Sequence, residues 1–148
     1  MLRTSFAIIT GLFATMIVIT FVELANARLF FPAPPGMDWS DKQAVAAFAA
    51  SLPIAAMLVV LLGWLLGAFI GAAVAAALAD RYRRVCASLI GVAVIVGVVQ
   101  NSLEIPHPTW LTAAGLLLPL PLAWLAEKMV PPRYRGGDEV PVWRGGDK

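Results

Sequence analysis

Residues 54–79 read IAAMLVVLLGWLLGAFIGAAVAAALA, a run without a charge and with nothing more polar than its single tryptophan. A helix rises about 1.5 Å per residue, so ~20 apolar residues cover the ~30 Å hydrocarbon core of a bilayer. The run is long enough to cross, and the chain around it points the same way. Of 148 residues 60% are hydrophobic and only 14% charged, with a mean hydropathy of +0.82. A soluble domain is nearer ~25% charged, and a chain this short cannot hide the excess apolar surface from water. Lipid can.

Three more apolar runs lie on either side of the first. With Pro53 opening the central one, the spans are read as about 4–25, 53–79, 85–103 and 110–130. The expected fold is therefore all-α, a four-transmembrane-helix bundle over residues 1–130 followed by a polar tail over 131–148. The first run also ends near Ala25-Asn26-Ala27, which resembles a signal-peptidase site. Its apolar length exceeds the usual ~7–15 residues of a secretory signal and Glu23 precedes the site, so an uncleaved span is expected.

Orientation follows from the basic residues flanking the spans. One side receives Arg3, Arg81, Arg83, Arg84, Lys128, Arg133, Arg135, Arg144 and Lys148; the other receives only Arg28 and Lys42. The first group is read as cytoplasmic, which places both termini there. Trp39 and Trp110 then fall at the outer interface, with Tyr82, Trp124 and Tyr134 at the inner one.

The connections carry their own signals. Phe30 to Trp39 includes Pro32, Pro34 and Pro35, which no helix can run through. Ser40 and Gln43 have the spacing of a capping box, and the helix they open should kink at Pro53. Asp80 to Arg84 forms a tight polar turn, and Pro106 and Pro108 close the next one. Pro119 and Pro121 interrupt the fourth span, releasing carbonyls near Gly115 and Leu117. Such breaks line cavities in transporters, but they also occur as simple kinks, which is the reading preferred for these.

Within the second span Gly63, Gly67, Gly71, Ala75 and Ala79 recur every four residues and share one helix face. A face of small residues lets another backbone approach closely, which is how helices associate in lipid. Ala87 with Gly91 and Ala93 with Gly97 repeat the spacing on the third span. Internal packing is the first expectation for this face, docking onto a partner or a second copy the other.

A polar set gathers at the outer ends of spans one and three: Glu23, Asn26 and Arg28, then Gln100, Asn101 and Glu104, with His107 beyond. An acidic residue in a span is costly and normally faces the bundle interior or water with a partner. Two carboxylates and one histidine are too few, too loosely spaced, for an expected metal site. The reading preferred from sequence is a hydrogen-bonded network closing the outer end, with Arg28 neutralising a glutamate; ion or proton handling is the alternative.

In the tail Arg135-Gly136-Gly137-Asp138 recurs as Arg144-Gly145-Gly146-Asp147 around Trp143. The segment cannot build a core, yet Arg135, Trp143 and Arg144 are of the types that anchor interfaces. The single cysteine, Cys86, excludes an internal disulfide and any cysteine-based metal site. No nucleophile elbow, phosphate loop, zinc-protease helix or haem-attachment motif occurs, so no cofactor and no catalytic residue are expected. The basic residues follow the membrane flanks, so nucleic acid is not an expected partner.

The loop Phe31-Pro32-Ala33-Pro34-Pro35-Gly36-Met37-Asp38, the stretch Gly63-Trp64…Gly67…Gly71, and Asn101…Ile105-Pro106-His107-Pro108-Thr109-Trp110 resemble a group of small bacterial four-span proteins without an assigned activity. The resemblance covers the chain to about Val130; it implies a bacterial inner membrane and transfers no catalytic residue. Two functions are expected from the sequence. The first is a non-enzymatic auxiliary subunit packing onto a larger membrane complex or a copy of itself. The alternative is a small oligomeric transporter or channel using the outer polar cluster.

Overall fold

The structure, a computed structural model, describes residues 2–80 and 82–131. Every element among them is helical: α1 (Leu2–Ala25) running into a π-helical turn (Asn26–Phe30), α2 (Lys42–Ser51), α3 (Ile54–Leu78), α4 (Arg83–Glu104), α5 (Thr109–Leu117) and α6 (Pro119–Met129). Four stretches are long and apolar enough to cross a membrane: Leu2–Phe30, Ile54–Leu78, Arg83–Glu104 and Thr109–Met129. The tail residues Arg135, Trp143 and Arg144, and Arg81 in the polar turn, lie outside the described residues.

Helix ends follow local chemistry, with two departures from the sequence expectations. The capping box does not form. Asp41, not Ser40, is the N-cap of α2, its carboxylate accepting from the amides of Gln43 and Ala44. Ser40 is already committed: its hydroxyl and its amide both donate to Asp38, which holds that exposed carboxyl below the usual carboxylate range. Pro53 does more than kink a helix. Leu52 and Pro53 are both extended, so α2 and α3 are separate helices that meet at a corner.

The fourth span bends but does not open. Leu118 keeps helical dihedrals and its amide bonds to Ala114, while Pro119 restarts the helix as its first residue. Both prolines thus sit in the first turn of α6, where amides have no intrahelical acceptor to lose.

α3 is the central helix, packed against α1 on one side and against α4, α5 and α6 on the other. Its glycine face meets α1. A methyl group added at Gly67 would lie 2.6 Å from Ile19, and one at Gly63 would lie 3.2 Å from Val22. At Gly71 it would collide with the Thr15 hydroxyl and come within 2.7 Å of the Gly11 carbonyl. α1 answers with its own small residues: Ala7, Gly11 and Thr15, four apart, are its buried positions. The Thr15 hydroxyl lies within hydrogen-bonding distance of two carbonyls, Gly11 at 3.0 Å and Gly67 at 3.1 Å. One such interhelical bond contributes about 0.6 kcal/mol in a membrane bundle, so the seam rests mainly on dispersion between close backbones.

The two halves of the bundle are packed differently. One half is filled by small side chains, with Ala72, Ala75, Ala87, Ala123 and Ala126 buried around Ile90. There Gly91 sits against Leu120 and Ala123, joining α4 to α6. The other half is built around Trp64, with Ala68, Val94, Val98 and Leu111. The same four-residue spacing therefore does two jobs on α4, because a methyl group on Gly97 would meet nothing within 4 Å.

The alanine-rich end also gathers four of the six described basic residues, Arg3, Arg83, Arg84 and Lys128. Arg3 pairs with Asp80 at 2.8 Å, tying the start of α1 to the end of α3. Arg83 donates to the carbonyl of Val130 and so closes the C-terminus of α6. Arg84 lies over the Trp124 ring, whose indole N–H donates to Ser88 at 2.9 Å.

The seam between α1 and α3 makes the first prediction. Gly71→Ala should destabilise the protein by about 1–3 kcal/mol, because even one methyl group overpacks a backbone contact. Gly97→Ala should be neutral or stabilising by up to ~1 kcal/mol, since it adds helix propensity in open space. Unfolding of the two variants in detergent checks this, and indistinguishable midpoints would show that the seam does not hold the fold.

A polar chamber at the Trp64 end

Glu23 and Asn26 stand three residues apart at the end of α1, so they share a face directed toward α3. The chain does not leave the helix there. It widens into a π turn in which the Phe31 amide bonds to the Asn26 carbonyl at 2.8 Å. Single π turns recur at functional sites because they redirect side chains without ending the helix. Asn26 is only 7% exposed, and its amide nitrogen donates to the Ala56 carbonyl on α3 at 3.2 Å. That bond fixes which way the amide lies and leaves Oδ1 as an acceptor.

Asn101 arrives from the last turn of α4 and His107 from the connection to α5. Together with Glu23 and Asn26 they line a chamber of about 260 Å³. Three buried atoms at this chamber have no hydrogen-bond partner: Oδ1 of Asn26, Oδ1 of Asn101 and Nδ1 of His107. Glu23 is half-buried, and the donor directed to its carboxylate is the Trp64 indole.

Trp64 organises this end of the molecule. It is 3% exposed and its ring lies edge-on to His107, with centroids 5.9 Å apart and planes at 63°. Its far edge rests on Gly115 of α5, where an added methyl group would stand 2.8 Å from the ring. A buried indole calls for an acceptor for its N–H, and the Glu23 carboxylate is the acidic group beside it.

The fourth wall is α2. Val45, Phe48 and Leu52 face the chamber from it, and Trp39 from the preceding loop packs edge-on against Phe48 at 6.4 Å. α2 has no extensive packing against any span and none of its residues is fully buried. It is held off the bundle, and the chamber is the space beneath it.

The polar set expected from the sequence is therefore divided. Glu23, Asn26, Asn101 and His107 come together, whereas Arg28, Gln100 and Glu104 are exposed and line no part of the chamber. Arg28 makes no ion pair with either glutamate among the described residues, so the expected neutralisation of Glu23 by Arg28 is absent. The physical reason lies in position along the helices: Glu104 is the last residue of α4, about 4.5 Å beyond Asn101 along its axis, and Arg28 sits within the π turn, which carries it outward. No group of three His, Cys, Asp or Glu is clustered for a metal ion among the described residues. The prolines of the fourth span, considered as a cavity lining, do not reach the chamber either.

Sequence reasoning missed Trp64 as the organising residue, and the apolar face of α2. A signal for the first existed: a tryptophan inside an otherwise apolar span must place its N–H on something, and the acidic residue of a neighbouring span is an obvious acceptor.

The contact between Trp64 and Gly115 is testable as a coupled pair. Gly115→Ala alone should cost about 1–3 kcal/mol by overpacking the ring. With Trp64 replaced by alanine, itself costing ~3–5 kcal/mol, the same glycine change should become neutral. Additive effects in detergent unfolding would show that the ring does not bear on Gly115.

No protein-family model matches this chain, and neither a curated protein nor a solved structure matches it.

Proposed function

We propose that this is a non-enzymatic multi-pass protein of a bacterial inner membrane, with both termini cytoplasmic, that holds a small polar ligand in the chamber beneath α2. The single observation that supports ligand binding is the set of three unpartnered buried polar atoms around one cavity. Buried polar groups are nearly always satisfied, and each one left unmet costs about 1–3 kcal/mol. A chamber that gathers three such atoms and a carboxylate is shaped for something that supplies donors. Its volume of 260 Å³ lies just under the ~300–1,000 Å³ of drug-sized sites, so the polar part of the ligand is small.

The orientation rests on the basic residues. Arg3, Arg83, Arg84 and Lys128 belong to the end opposite the chamber, which the positive-inside tendency assigns to the cytoplasm. The chamber then opens to the outer face. A transporter would use the same site as its entry point. The absence of any charged residue in the sequence at mid-span depth favours a receptor or carrier of a bound ligand over an ion channel.

The reading as an auxiliary subunit of a larger complex, or as a homo-oligomer, loses one support, because the glycine face that was its best docking surface is turned inward onto α1. A partner would have to use the lipid-facing side of α1, where Phe6, Phe13 and Phe21 are exposed, or the tail.

Two measurements test the proposal. Reporter fusions within residues 33–39 and after Lys148 should be active outside and inside respectively; outside activity from the Lys148 fusion would overturn the topology. In detergent, a panel of small cationic, neutral and anionic solutes should contain at least one that raises the unfolding midpoint, the unfolding free energy rising by about 2.7 kcal/mol at a hundred times its Kd. The effect should vanish in Asn101→Leu. A panel without any effect, alongside a stoichiometric co-purifying membrane protein, would replace this proposal with the auxiliary-subunit one.

A further inference from the structure

The chamber beneath α2 does not end at its polar floor. Glu23 and Asn101 also line a second opening of about 200 Å³, which runs between α1 and α4. It descends along Met16 and Ile19 to Leu12 on one helix and along Gly97 to Ala93 on the other. Both helices run in the same direction, so this crevice leads from the polar floor toward the middle of the bundle. Its walls are apolar except at the top and at Thr15, whose hydroxyl lies against Gly11 and Gly67. Gly97 opens it: a methyl group there would touch nothing within 4 Å.

The two compartments ask for different chemistry. In the upper one, Asn26 is more than nine-tenths buried and presents an unpartnered oxygen, because its nitrogen is held by Ala56. Asn101 presents a second unpartnered oxygen at the junction. Glu23, also at the junction, adds a carboxylate that has no ion-pair partner among the described residues. These groups accept hydrogen bonds and carry negative charge, so they select a cation with several N–H donors, which is a primary ammonium. Water alone can satisfy the amide oxygens, but it leaves the half-buried carboxylate without a counter-charge. The lower compartment is a slot for an alkyl chain.

We propose that the joined cavities bind an amine-headed lipid of the phosphatidylethanolamine type. Its ammonium sits among Glu23, Asn26 and Asn101, and one acyl chain lies in the crevice between α1 and α4. This inference rests on the ligand-binding reading above and names the ligand class. The depth agrees with it: Glu23 lies near the end of a 29-residue apolar helical stretch, where headgroups meet hydrocarbon, and the crevice continues into the hydrocarbon layer. α2, amphipathic and outside the bundle, covers the headgroup side.

The experiment uses the full chain in detergent, with unfolding midpoints and native mass spectrometry as readouts. The probes are lysophosphatidylethanolamine, lysophosphatidylcholine, lysophosphatidylglycerol and free ethanolamine. The ethanolamine lipid should bind at least about tenfold more tightly than the choline lipid, whose quaternary nitrogen keeps the charge but has no N–H to donate. The glycerol lipid and free ethanolamine should bind at least tenfold more weakly as well. Glu23→Gln should remove the preference among headgroups, and Gly97→Leu, whose Cβ would meet no protein atom within 4 Å and whose side chain would occupy the crevice, should remove lipid binding. The headgroup comparison on the unaltered chain stands even if a variant fails to fold. If free ethanolamine binds as well as the lipid and Gly97→Leu changes nothing, the ligand is a free amine: the lipid inference falls and the chamber reading survives. Equal binding of all three lipids would mark ordinary annular contact and overturn the inference. If none of the probes binds while another solute of the panel does, the inference fails alone; if that panel is silent too, both readings fail.

Discussion

The contact on which the rest of the bundle depends is the backbone-to-backbone approach of α1 and α3. In lipid, helices gain nothing by hiding apolar surface from hydrocarbon, so association must come from packing that a lipid tail cannot match. Gly67 and Gly71 supply the missing side chains on α3, and Gly11 supplies it on α1. Thr15 fits between them with its hydroxyl against two carbonyls, so the one polar side chain buried in this seam is met within it. With α1 seated on one side, the opposite side of α3 remains for α4 and α6, and the small residues there draw those helices close as well.

The same logic explains why the two cavities described above open from the Trp64 half of the bundle. Where alanine and glycine line the facing surfaces, the helices approach closely. Trp64 breaks that pattern. Its ring needs Gly115 to be bare and occupies the width between α3 and α5, while its N–H reaches toward Glu23. A wedge of that size keeps the spans apart at this end, and the gap between α1 and α4 beside Gly97 follows. The extended pair Leu52 and Pro53 then turns α2 across the opening, without bringing it into close packing.

A chamber built this way concentrates a cost that the rest of the bundle, among the described residues, carries at a single atom. Elsewhere among the described residues one buried polar atom goes unmet, Nε of Arg83, while Thr15 is met within the seam and the Trp124 indole on Ser88. Around the chamber three polar atoms go unmet, and the carboxylate nearby has no ion-pair partner among the described residues. Polar groups retained at such cost inside a membrane protein mark binding or transfer sites far more often than structural ones. That concentration of three unmet atoms around one cavity, and not the cavity volume, makes the Trp64 end the functional candidate.

Much of this was legible in the residues themselves. Hydropathy and length determine that residues 54–79 and the other three runs are helices fit to cross a bilayer, because in hydrocarbon a chain must satisfy its own backbone. The four-residue spacing of Gly63, Gly67 and Gly71 determines that they share a face. Spacing alone also grouped Glu23 with Asn26 on one helix and Asn101 with Glu104 on another, but it could not say which would meet. Only the tertiary structure decided that Glu104 and Arg28 turn outward while His107 turns in, since this depends on the π turn after Ala25 and on where α4 ends. It likewise separated Gly91, which packs, from Gly97, which faces open space, although their sequence contexts are alike. Periodicity is a property of one helix; a cavity is a property of the distance between several, and that distance is set by side chains such as Trp64 that act across the bundle.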